Sequence, residues 1–155
     1  MLQVGSPAPD FKLFNTEKQE IALSSFKGKN VVVLFYPLAF TGVCTTELCN
    51  MRDDIATYAG LNAEILAISV DSLFTLEKFK ADQRLPFNLL SDFNAETSIA
   101  YDSVYENFVF GMKNVSKRAA FVVDAEGILR YVEVLDNAGN LPNFEAVKAT
   151  LTSLS

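Results

Sequence analysis

An unbroken apolar run, Val31-Val32-Val33-Leu34-Phe35-Tyr36, leads straight into Pro37. A strand with one solvated face alternates apolar and polar residues; this run does not alternate, so both of its faces must be buried. It reads as a central strand of a sheet covered on both sides. Proline ends such a strand because it has no N–H to continue the ladder. The fold must therefore supply a covering layer on each face, and the remaining sequence is patterned to do so.

Gly5-Ser6-Pro7-Ala8-Pro9 is extended and turn-like, since each proline drives its predecessor away from helical dihedrals. The alternating Asp10–Phe14 and Gln19–Leu23 flank the turn-prone Asn15-Thr16 and predict a small hairpin. Cys44, Leu48, Met51, Ile55 and Tyr58 recur at steps of four and three, which predicts one amphipathic helix ending near Gly60. Glu64–Val70 is a second buried-type strand, Leu73–Lys80 a helix, Phe87–Ser91 a short strand, and Ala95–Ala100 one or two helical turns. Tyr101–Asn114 has no clear period and reads as loop. Ala119–Asp124 and Ile128–Val134 flank Ala125-Glu126-Gly127, a hairpin signal, and Phe144–Leu154 closes as a helix with Val147 and Leu151 inward. No internal repeat or linker interrupts residues 1–155. The pattern predicts a single α/β domain, a mixed central sheet with helices on both faces.

Composition excludes several chemistries. The chain has 155 residues and no histidine, so a cysteine–histidine nucleophile pair, a serine–histidine triad and a histidine-ligated metal or haem are all ruled out. With half its residues hydrophobic it has ample core-forming material, and a net charge of −6 leaves no basic patch for nucleic acid or an anionic membrane. Met1-Leu2-Gln3-Val4-Gly5 lacks the charged and apolar regions of a leader, and no apolar run approaches the ~18 residues of a membrane span. A cytoplasmic, soluble protein is expected.

The two cysteines, Cys44 and Cys49, have four residues between them. In a reducing compartment a structural disulfide is not expected, and a free cysteine is often small core filler. Cys44, however, follows a strand, a proline and the turn Thr41-Gly42, which puts it in the first turn of the next helix, where free amide N–H groups and the macrodipole favour a thiolate. A thiol with the reference pKa near 8.5 is only about 3% ionised at pH 7; a drop of roughly two units, worth about 2.7 kcal/mol, makes it about 75% thiolate. A helix terminus gives at most ~2 kcal/mol, so a nearby cation is wanted as well. Cys49 lies about 140° around the helix, off the apolar stripe. Ideal helix geometry separates the two Cα atoms by roughly 8.6 Å, beyond the ~7 Å reach of a disulfide, so any bridge requires the helix to unwind. The spacing is too wide for a C-x-x-C dithiol, and two cysteines are too few ligands for structural zinc.

The segment Pro37-Leu38-Ala39-Phe40-Thr41-Gly42-Val43-Cys44 resembles the P-x-x-x-T-x-x-C signature of the peroxiredoxins, thiol-dependent peroxidases of thioredoxin-like fold. The resemblance runs from Gly5-Ser6-Pro7-Ala8-Pro9-Asp10-Phe11 to Lys117-Arg118-Ala119-Ala120-Phe121-Val122-Val123-Asp124. It implies that Cys44 is the peroxidatic cysteine, Thr41 the hydroxyl that meets thiolate and peroxide, Pro37 a ring shielding the pocket, and Arg118 the wanted cation. The bland alternatives are a helix-capping Thr, a strand-ending Pro and a solvated Arg. Thr45–Asp53 is similar to the peroxiredoxin Q (bacterioferritin comigratory protein) branch, in which a second cysteine, here Cys49, resolves the first. Pro37–Gly42 looks more like the alkyl hydroperoxide reductase E branch, whose typical members need no cysteine there. For Glu47 and Arg52 two readings stand, help in holding Arg118 or the pocket and, the safer of the two, surface charges on the helix.

The implied activity is reduction of hydrogen peroxide and organic hydroperoxides through a Cys44 sulfenic acid, resolved by Cys49 to an intramolecular disulfide. A thioredoxin-like or glutaredoxin-like reductant then recycles it, with no cofactor. Phe40, Phe108 and Phe110 are candidates for an apolar pocket mouth, and both monomer and homodimer fit the two branches. An alternative is a peroxide-sensing redox switch or interaction module that uses Cys44 oxidation to change partner binding.

Overall fold

The computed structural model describes residues 2–154. Met1, the head of the segment read as leaderless, and Ser155 lie outside the described residues. Strands β1 (Lys12–Asn15) and β2 (Glu20–Ala22) form the anticipated antiparallel hairpin. Then follow β3 (Asn30–Phe35), α1 (Gly42–Asp53), α2 (Ile55–Gly60), β4 (Ala63–Ser69), α3 (Leu73–Gln83), β5 (Asn88–Ser91) and α4 (Glu96–Ala100). The last part comprises β6 (Val104–Tyr105), β7 (Val115–Ser116), β8 (Arg118–Val123), β9 (Leu129–Leu135) and α5 (Phe144–Ser153). Among the described residues, no helix is long and apolar enough to cross a membrane.

The apolar run is indeed central. Among the described residues seven strands form one sheet in the order β2-β1-β5-β4-β3-β8-β9, with β3 parallel to β4 and antiparallel to β8. Its alternate side chains feed two separate cores. Val32, Leu34 and Tyr36 pack with Leu48 and Met51 of α1, Tyr58 of α2, Leu76 and Phe79 of α3, and Val147 and Leu151 of α5. Val31, Val33 and Phe35 face the other way, against Phe11, Leu23 of a short 3-10 turn, and Tyr101 just after α4. The thick helical layer thus covers one face, and the N-terminal segment with the short turns covers the other. The mixed sheet flanked by helices is the predicted α/β architecture, but α1, α2, α3 and α5 all pack on one face instead of being shared between the two.

Two expectations are corrected. The single helix from Cys44 to Gly60 is two, because Asp54 leaves helical geometry at φ −106°, ψ 10°. Asp54 is a poor helix former, and its carboxylate is taken up by Thr57 and by Lys148 of α5. The segment read as loop, residues 101–114, contains β6, which pairs with β7, and a 3-10 turn at Val109–Gly111.

The sheet also dictates where a site can form. The antiparallel register pairs Phe35 with Ala119, so the first residue of β8, Arg118, lies beside the carboxyl end of β3, where the chain leaves for α1. Crevices outside the carboxyl ends of strands are where open α/β sheets bind ligands.

Candidate functional site

The link from β3 to α1 is held open by three local devices. Pro37 is buried at the strand end. The Ala39 N–H donates to Asp71 Oδ2 at 2.8 Å, and the same oxygen accepts from Ser69 Oγ at 2.7 Å, fastening the loop to the end of β4. Phe40 adopts a left-handed φ of 66°, unusual for a bulky residue, and its ring packs on Phe79 at 5.0 Å between centroids. This turn delivers Thr41 to the position just before α1.

Thr41 occupies the N-cap position with extended dihedrals, yet its side chain makes no cap hydrogen bond. Instead Oγ1 donates to the Leu38 carbonyl at 2.7 Å. With its proton committed, the hydroxyl presents lone pairs to anything entering from the cavity side.

Cys44 stands in the first turn of α1 and is only 1% exposed. Arg118 donates to it, Nη2 lying 3.1 Å from Sγ. Arg118 is itself 1% exposed, and four of its five guanidinium N–H groups are engaged. Its Nη1 donates to Glu47 Oε1 at 2.7 Å, and Nε and Nη2 both donate to the Ala138 carbonyl, at 3.1 and 2.9 Å. Side chain, ion pair and backbone together leave the fork one orientation, with one arm aimed at the sulfur.

Glu47 therefore takes the first of its two readings, a support for Arg118, and not the surface one. It is completely buried, and its second oxygen, Oε2, has no hydrogen-bond partner among the described residues. Burial pushes its carboxyl up to about 7, partly offset by Arg118. A signal was present in the sequence: Glu47 follows Cys44 by three positions, so a helix that turns Cys44 inward turns Glu47 inward too. Arg52 does not join this cluster; it donates to Asp53 and to the Gln83 carbonyl.

A cavity of about 360 Å³ reaches Cys44. Pro37, Thr41, Cys44 and Arg118 line it together with Phe108, Phe110 and Met112. Phe110 is 97% exposed and Phe40 50%; Phe40, unlike Phe108 and Phe110, is not part of this wall. Four of the five residues singled out in the sequence thus meet in one crevice. Cys49 does not. It is half-buried on another flank of α1, unpaired with Cys44, and its Sγ donates to Gln83 Oε1 at 3.2 Å.

The AhpC/TSA family model matches residues 4–132. Peroxiredoxin Bcp of Bacillus subtilis is 37% identical over 141 residues, covering 88% of this chain and 90% of that protein. Alkyl hydroperoxide reductase E of Mycobacterium bovis is 38% identical over 137 residues, 86% of each. The near-equal likeness to both agrees with the mixed motif around Cys44. Among solved structures, peroxidoxin BcpB from Mycobacterium tuberculosis superimposes with a TM-score of 0.88 at 26% identity, covering 100% of this chain and 99% of that one. Peroxiredoxin Q of Xanthomonas campestris gives 0.81 at 27% identity, covering 92% and 90%. With a family model spanning most of the chain and a thioredoxin-like sheet ending in a thiol–guanidinium contact, this protein belongs to the AhpC/TSA family, the peroxiredoxins.

Proposed function

We propose that this thiol-dependent peroxidase turns over on Cys44, with Arg118, Thr41 and Pro37 shaping the reaction and Cys49 resolving it. The observation that carries the reading is the Arg118 contact to Cys44 Sγ, 3.1 Å long, at the inner end of a largely apolar cavity. A cation held there by Glu47 and a backbone carbonyl needs no reorganisation as charge moves from sulfur to the departing oxygen.

In the first step the Cys44 thiolate attacks the terminal oxygen of a hydroperoxide. The S–O bond forms as the O–O bond breaks, the sulfur loses two electrons, and the other oxygen leaves as water or alcohol after taking up a proton. The Arg118 N–H that points at Sγ serves that oxygen as charge moves to it, Thr41 accepts from the hydroperoxide O–H, and the Pro37 ring closes one wall without adding a donor. In the second step α1 unwinds, Cys49 sulfur attacks Cys44 sulfur, and water leaves. A thioredoxin-like or glutaredoxin-like dithiol then reduces the disulfide by exchange.

The test is quenched-flow intact mass with one equivalent of peroxide. The reduced protein is expected to lose two hydrogens per chain, Cys44→Ser to consume no peroxide, and Cys49→Ser to stop at a gain of one oxygen. Retained turnover in Cys44→Ser would refute the assignment of the nucleophile; unchanged products in Cys49→Ser would make that cysteine a bystander.

A further inference from the structure

The half of α1 beyond the buried thiol is tied to α3 at two points, and both ties end on the same residue. Cys49 Sγ donates to the side-chain oxygen of Gln83 at 3.2 Å. Arg52, three positions further along the same face of α1, donates through Nη1 to the Gln83 backbone carbonyl at 2.7 Å. Gln83 is the last residue of α3, and Arg84 turns the chain away with a left-handed φ of 53°. Its carbonyl is thus among those a helix leaves without internal partners, and a guanidinium is the donor that such an end favours.

Resolution requires this arrangement to be broken. Cys44 and Cys49 face different neighbours, and a disulfide needs their Cα atoms closer than an intact helix holds them. The Cys49 sulfur must also bring its lone pair to the sulfenic sulfur, which it cannot do while its S–H is engaged with Gln83. We infer that Gln83 is a latch on resolution, holding the Cys49 thiol against α3 and so setting how long the Cys44 sulfenic acid persists.

This rests on the reading of Cys49 as the resolving thiol. In the step concerned, Cys49 gives up its proton and its sulfur attacks Cys44 sulfur. The S–S bond forms as the S–O bond breaks, and the oxygen departs as water. The hydroperoxide has already supplied the two-electron oxidation. A sulfenic acid kept waiting is open to a second hydroperoxide and passes to the sulfinic acid, so the latch opposes turnover and favours overoxidation.

Two variants of the full chain separate the hydrogen bond from packing. Gln83→Leu keeps side-chain bulk and drops the acceptor; Gln83→Glu keeps an acceptor in place. After one equivalent of hydrogen peroxide, rapid quenching and intact mass follow the change from a gain of one oxygen to a loss of two hydrogens. Gln83→Leu is expected to complete it roughly threefold to tenfold faster than the unaltered protein, the usual worth of one hydrogen bond. It should also accumulate less of the two-oxygen product under excess peroxide, while Gln83→Glu resolves no faster than the unaltered protein. A Gln83→Leu rate equal to or below that of the unaltered protein overturns the latch alone, as does a Gln83→Glu rate matching Gln83→Leu. If the unaltered protein never loses two hydrogens, the resolving role of Cys49 and the latch fall together.

Discussion

Cys44 and Cys49 share one helix, but α1 offers them different company. At the first, a sulfur almost sealed from solvent receives a charged N–H from Arg118, whose own charge is balanced by buried Glu47. At the second, a half-buried thiol donates a hydrogen bond to the oxygen of a neutral amide. One end is a buried cluster in which Cys44, Arg118 and Glu47 hold one another, with Glu47 Oε2 left without a partner among the described residues. The other is held by bonds that solvent can replace. The difference teaches that sequence spacing assigns the two thiols to faces of a helix, and that their chemistry is then set by what the sheet and α3 place against those faces.

The strongest way to break the comparison is to remove the charged donor. Arg118→Met keeps side-chain length and leaves Glu47 without its counter-ion. Peroxide consumption by the reduced protein is expected to fall roughly a hundredfold to a thousandfold, with a stability loss of about 3 kcal/mol from the uncompensated buried carboxyl. The chain has no tryptophan to report the reaction, so competition with a second peroxidase or quenched-flow mass measures the first effect, and chemical denaturation the second. A variant as fast as the unaltered protein would erase the distinction between the two sulfurs.

A smaller loss is expected from Thr41→Val, which preserves shape and removes the oxygen that faces the cavity. The rate with hydroperoxide should drop roughly tenfold to a hundredfold, while alkylation of Cys44 by iodoacetamide, which carries no O–H, changes far less. Equal losses with both reagents would show that Thr41 acts by holding the loop through Leu38 instead of by meeting the substrate.

A change in stability with pH, with no rate in it, sharpens the account of Glu47. Its carboxyl is raised from 4.5 to about 7 in the fold, so between those values the native state binds more proton than the unfolded chain and stability falls as pH rises. The contribution is whole below about pH 4.5 and gone above about pH 7, amounting to at most roughly 3 kcal/mol. Glu47→Gln should lack that slope, and thermal unfolding of both proteins across the window checks it. Parallel curves would mean that Arg118 keeps Glu47 ionised throughout.

Much of the fold was legible because its signals are local. The unalternated β3, the hairpin of β8 and β9 around Ala125-Glu126-Gly127, and the period of α5 each declare themselves within a short window. Pro37, Thr41, Cys44 and Arg118 were legible as a constellation only through the motif and the resemblance it carries. The end of the first helix was not, since Asp54 breaks it without glycine or proline and is secured by Lys148, far along the chain. Glu47 kept its surface reading beside the other because the partner it holds lies 71 positions away. The β6–β7 pair escaped notice because two-residue strands carry no period.

The Ala138 carbonyl that accepts two of the Arg118 donors belongs to the main chain. Replacing Ala138 leaves that oxygen in the main chain, so a conventional substitution scan reads only the side chain, which lines the Cys44 cavity, and not the acceptor. The anchors of its loop are reachable by mutation instead: Tyr105 donates to the Asp136 carbonyl and Lys117 pairs with the Asp136 carboxylate. Amide-to-ester exchange at that peptide unit weakens the acceptor and removes the Gly139 N–H that donates to Asn137 Oδ1; compared with an Asn137→Ala control, which loses only the latter bond, it weighs a contributor that genetics leaves invisible.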